Sequence, residues 1–228
     1  MRKSSAKEHR EAYTIAHLLS SLAEEDNLLT FPLELIHRES PDFLLLVAGK
    51  GIGIEHVDVV SQDECKKEAL TDEVCRELGV PHLTQFVRHA KPGKTERSPD
   101  VLKEEMKADE SGHGWGDTDQ YTEWINAMLW FIDDKKKDLL GEKFSRYDED
   151  WLLIRDRWSA LSLPGVNREE ATRRLFKAIQ DRNIKLDFHR VFILPSEFRD
   201  PVCEVAESGF HLHPRNDLWS QASTGQSG

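Results

Sequence analysis

Two acidic residues, Asp42 and Glu55, stand on either side of a short hairpin whose other members are mostly Leu, Ile and Val. Ala48-Gly49-Lys50-Gly51 is turn chemistry between two apolar runs, Phe43 to Val47 and Ile52 to Val60. A loop with an even number of residues centred on Gly49 and Lys50 pairs Asp42 with Val57 and Leu44 with Glu55. Residues opposite each other across an antiparallel ladder share a face. The two carboxylates then point the same way as diagonal neighbours, roughly 7–8 Å apart at the backbone. A loop of odd length would place them on opposite faces. Two carboxylates in apolar surroundings are costly unless a cation or a proton compensates them. A hard divalent ion, Mg2+ or Mn2+, takes two or three carboxylates plus waters and activates a water for phosphodiester cleavage. In the alternative, Asp42 follows Pro41 at a strand mouth in solvent and Glu55 pairs with a nearby Lys or Arg.

The elements that would position this pair are legible on both sides. Ala12, Ile15, Leu18, Leu19 and Leu22 recur at helical spacing and predict a helix over 6–25, and alternation over Phe31 to His37 predicts a strand. Phe43 to Val47 and Ile52 to Val60 are apolar on both parities, as strands covered on both faces are. Ser61 with Glu64 opens a helix that runs to Leu78 and stops at Gly79 and Pro81. Lys91 to Gly116 turns polar and reads as a flexible excursion with a short helix at 100–110. A helix follows through Trp124, Ile125, Met128, Leu129 and Ile132, with Lys135, Lys136 and Lys137 in its last turns. Trp151 to Ile154 predicts a strand, Asn167 with Glu170 caps another helix, and Phe188 to Leu194 predicts a last strand. Beyond Pro195 the signals fade, and residues 214–228 are too polar to order themselves.

The stretch Ser40-Pro41-Asp42-Phe43, the hairpin, and Gly53-Ile54-Glu55-His56-Val57 resemble the PD-(D/E)XK nuclease superfamily, the restriction-endonuclease-like fold. That family's core order of helix, three antiparallel strands, helix and strand matches the elements over about residues 6 to 155. The resemblance implies one α/β domain over residues 1–213, a mixed central sheet flanked by helices, with the flexible insertion around 91–116 and a disordered tail at 214–228. It implies Mg2+-dependent (or Mn2+-dependent) hydrolysis of DNA. Asp42 becomes the first metal-binding acid and Glu55 the second, with the His56 carbonyl as a further ligand. Glu39, or Glu8 or Glu11 on the first helix, would add a carboxylate. The family's catalytic lysine belongs two residues after the glutamate, where this chain has Val57. Members of the family supply it from elsewhere, and Lys66 and Lys67 on the following helix are the stand-ins, with Lys50 a weaker one. The rival reading is a catalytically inactive nuclease-fold protein used for binding or assembly.

Other features point less far. His211 and His213 share a strand face but lack a third ligand and read as surface histidines. Gly112-His113-Gly114-Trp115-Gly116 reads as a linker rather than a base-stacking loop, and Arg168, Arg173, Arg174, Lys177 and Arg182 as a solvated basic helix side. The 228 residues carry 31 Lys and Arg against 42 Asp and Glu, a formal charge of −11, which counts against a general DNA-coating role but not against a local basic groove. No apolar run approaches a bilayer span, and the N-terminal stretch lacks the form of a secretion signal. Three scattered cysteines, Cys65, Cys75 and Cys203, fit a reducing cytoplasm.

Overall fold

The computed structural model describes residues 6–23, 29, 31–81, 92–93, 97–108, 117–142, 144–158, 167–196 and 200–215. Within them the chain runs α1 (Ala6–Ala23), β1 (Leu33–His37), β2 (Phe43–Val47), β3 (Lys50–Val59), α2 (Gln62–Leu78), α3 (Pro99–Ala108) and α4 (Asp117–Leu139). Then follow β4 (Glu149–Asp156), α5 (Arg168–Asp181), β5 (Arg190–Pro195), β6 (Val202–Ala206) and β7 (Gly209–His213). The seven strands form one open mixed sheet in sequential order from β1 to β7. The strands β3, β4 and β5 run parallel, with antiparallel hairpins on either flank. Parallel neighbours need long crossovers, and the chain provides them as α2 to α4 between β3 and β4 and as α5 between β4 and β5.

Strand alternation sorts the core into two layers. Ile52 and Ile54 of β3, Trp151 and Leu153 of β4, and Phe192 and Leu194 of β5 pack with Ile15, Leu18 and Leu22 of α1. The opposite parity, including Val59, Leu152, Ile154, Val191 and Ile193, packs with α4 and α5 through Trp124, Met128, Ile132, Leu175 and Ile179. Because successive side chains of a strand leave on opposite faces, this packing decides which face every polar residue on these strands occupies. The expected α/β class with a mixed sheet flanked by helices is therefore present. α5 begins as anticipated, with Asn167 Oδ1 accepting the Glu170 N–H at 3.1 Å.

Several expectations change. The hairpin turn is Ala48-Gly49, with φ of 50° and 79°, and not Gly49-Lys50. Positive φ at both central residues is the twist that a two-residue hairpin needs. Val47 accordingly pairs with Lys50 and Phe43 with Ile54, a slide of two residues from the anticipated register. The chain past Pro195 is not featureless: β6 and β7 extend the sheet. His213 is fully buried there and hydrogen-bonds Glu204 at 2.7 Å, so it is no surface histidine. Arg215 donates to the Pro195 carbonyl at 2.8 Å, while the rest of the expected disordered tail, 216–228, lies outside the described residues. The short helix of the excursion is α3, and the Gly112 to Gly116 loop is likewise outside them. No helix among the described residues is long and apolar enough to cross a membrane.

Candidate functional site

One step beyond the Phe43↔Ile54 pair, Asp42 stands directly across the ladder from Glu55. The turn keeps an even number of residues, so the two still share a face, and the slide turns a diagonal relation into a direct one. That face is the one packed by α4. The main-chain N–H of His56 donates to Asp42 Oδ2 at 2.8 Å, which ties the Asp42 carboxylate to β3.

The cation at this pair comes from α4. Lys135 Nζ donates to Glu55 Oε1 at 2.8 Å and to Asp138 Oδ2 at 2.9 Å. The Glu55 side chain is 10% exposed and that of Lys135 21%. Burial, followed by the neighbouring Asp42 charge, pushes the Glu55 carboxyl above its ordinary value, and Lys135 offsets only part of this. Burial works against the Lys135 ammonium, but its hydrogen bonds to Glu55 and Asp138 outweigh it and hold its pKa above the usual lysine value. Lys135 thus stays charged at neutral pH, and Glu55 resists ionisation even with the amine in place. Two carboxylates and one ammonium leave the pair an anionic centre.

Lys66 and Lys67 are held elsewhere. Lys66 donates to the Arg97 carbonyl at 3.3 Å, and Lys67 lies 3.8 Å from Glu105 on α3. Lys50 is the exposed first residue of β3. Of His56, the main chain meets Asp42 while the buried imidazole faces α1, with Nε2 3.8 Å from Asp58 Oδ1. Burial lowers that imidazole's pKa against the pull of Asp58, Asp42 and Glu11. Glu39 is exposed, and buried Glu11 hydrogen-bonds His37 at 3.2 Å. Among the described residues no three His, Cys, Asp or Glu side chains stand close enough together to hold a metal ion. The third side-chain carboxylate expected from Glu39, Glu8 or Glu11 is therefore absent from the Asp42–Glu55 pair.

In the sequence Lys135 reads with Lys136 and Lys137 as a cation suited to a helix C-terminus, which hides its role. Its position held a signal all the same. Met128, Ile132 and Leu139 form the buried stripe of α4, and Lys135 falls in that stripe at the i+3 spacing from Ile132. A lone charge on the core-facing side of a helix needs a partner there. Val57, in the place expected for a lysine, packs into the α4 layer instead.

The chain matches no known family model, no curated protein and no solved structure.

Proposed function

We propose that this protein is a Mg2+-dependent nuclease of the restriction-endonuclease-like type, hydrolysing phosphodiesters in DNA. The observation that carries the reading is Lys135 on Glu55, directly across from Asp42, on one sheet face. Support also comes from the element order, in which one helix and three antiparallel strands precede a strand parallel to the third.

The donor set fits a hard divalent cation in kind. Asp42 and Glu55 would hold it through carboxylate oxygens, together with the His56 carbonyl. A site with few protein ligands suits Mg2+, which keeps several of its waters. Glu55's reluctance to ionise marks a carboxylate that a further cation would relieve. Bound there, the ion supplies Lewis acidity at a phosphoryl oxygen and a water of lowered pKa. The chain's own contribution centres on Lys135, whose ammonium replaces the lysine missing at Val57. Held by Glu55 and Asp138, it is pre-oriented to hydrogen-bond a non-bridging phosphate oxygen and stabilise charge that develops there. As a group that stays protonated it is an electrostatic partner rather than a base.

The test is nicking of supercoiled plasmid with and without Mg2+ by wild type, Glu55→Ala and Lys135→Met. Loss of metal-dependent nicking in both variants is expected; equal residual activity in all three overturns the assignment. A second reading, an inactive nuclease-fold binding or assembly protein, is favoured by one observation. Lys135 already neutralises Glu55, as a structural substitute for the metal would. Calorimetry separates the two, since an idle site gives no carboxylate-dependent heat with Mn2+.

A further inference from the structure

On the face that carries Glu55, the two preceding positions of β3 are Gly53 and Gly51. Their missing side chains leave a trough occupied by Tyr147, from the segment leading into β4. A β-carbon on Gly53 would lie 2.8 Å from Tyr147 Cδ2, and one on Gly51 3.2 Å from Cδ1. The half-buried ring is therefore seated on bare backbone beside the carboxylates. Its hydroxyl accepts a hydrogen bond from Arg38 Nη1, and the Arg38 guanidinium carbon lies 6.0 Å from the ring centroid. Arg38 is itself anchored to the site, because its main-chain N–H donates to the Asp42 carbonyl at 2.8 Å. Its side chain is exposed and, on a protein with a formal charge of −11, contacts a phenol.

An aromatic ring and a guanidinium at this spot have a defined use. Gly53 precedes Glu55 by two residues, about 7 Å along the strand. That is the reach of a neighbouring nucleotide and not of the phosphate at Glu55 itself. A planar ring accepts any base by stacking, provided the base is not already stacked in a duplex, and a guanidinium matches phosphate geometry. We propose that Tyr147 and Arg38 form a nucleotide subsite beside the Asp42–Glu55–Lys135 centre. Tyr147 stacks an unpaired base and Arg38 holds the adjoining phosphate, so that single-stranded DNA is the substrate class. This deepens the nuclease reading and rests on it.

The probe is fluorescence anisotropy of a labelled single-stranded oligonucleotide and its duplex, at low salt with EDTA, so that binding is read apart from cleavage. Wild type should bind the single strand more tightly than the duplex. Tyr147→Leu should weaken single-strand binding roughly 5- to 150-fold, the range of one stacked base, while Tyr147→Phe, which keeps the ring, stays within about threefold. Arg38→Gln should weaken binding and lower the salt slope by about one. Circular dichroism melting establishes that each variant is folded, and the phenylalanine variant supplies the comparison if the leucine variant is not. No single-strand binding by wild type, a preference for duplex, or equal binding by folded Tyr147→Leu overturns the subsite. If Tyr147→Phe loses binding as leucine does, stacking is also overturned. Glu55→Gln, read only for Mg2+-dependent cleavage, reports on the nuclease reading separately. Cleavage retained there with binding lost in Tyr147→Leu keeps the subsite and removes the nuclease centre, and the converse pattern does the opposite.

Discussion

Replacing Lys135 by methionine keeps the length and apolar stem of the side chain and removes the one cation that touches Glu55 among the described residues. The gross attraction across 2.8 Å is about 6 kcal/mol at an effective dielectric of 20. Breaking a fully buried pair from one side costs about 3–5 kcal/mol, because the remaining charge is stranded. Here both side chains retain some water contact and part of the Lys135 interaction is with Asp138, so a loss of about 2–3 kcal/mol at pH 7 is expected. The loss should shrink on acidification. Glu55 already has a folded pKa above 4.5, so its favourable contribution is fully present below that value and fades as pH rises through the folded pKa. Removing the ammonium raises the folded pKa further and widens this window upward. Urea unfolding of wild type and Lys135→Met at pH 7 and near pH 4.5 measures both effects, and the same pair in a Glu55→Gln background gives the coupling energy. A difference below about 0.5 kcal/mol at both pH values, or one that grows on acidification, refutes the argument that Lys135 compensates a buried carboxylate.

Mn2+ binding followed by calorimetry should be stronger at neutral pH than at a pH within the ordinary carboxylate range, because Glu55 must shed a proton held above that range, and Asp42→Asn should abolish the heat. Identical affinity at both pH values would contradict this. Gly53→Ala forces a β-carbon to 2.8 Å from Tyr147 and 3.1 Å from Pro41 and Asp150, and should cost about 1–3 kcal/mol in urea unfolding. Arg168→Met removes the guanidinium paired with Asp156, whose side chain is 1% exposed, and weakens the fold by about 3–5 kcal/mol in the same measurement; an unchanged midpoint would show that the pair is idle.

How far the letters reach is clearest at β6 and β7. The Val202 to Ala206 stretch interposes Glu204 and the Gly209 to His213 stretch carries two histidines, and past Pro195 the strand signals fade. In the folded protein Glu204 accepts from His213 at 2.7 Å and from Arg190 at 2.6 Å, and these partners keep its carboxyl ionised despite burial. A buried polar residue looks like a surface one until its partner is known. Arg190 and Glu204 stand 14 positions apart and meet through the pairing of β5 with β6.

The sequence by itself determined the elements up to Pro195 and, for a turn of even length, the parity of the candidate site. Period-two alternation and an even turn put Asp42 and Glu55 on one face whichever residues formed the bend. It could not choose between Ala48-Gly49 and Gly49-Lys50, since the two turns differ only in which residues take positive φ. Nor could it deliver Lys135, which reaches Glu55 across 80 positions only once α4 has docked on the sheet. Local pattern decides which way a side chain leaves its own element. Which charge it meets is decided by how separate elements bury their apolar stripes against one another, and that is a property of the assembled fold.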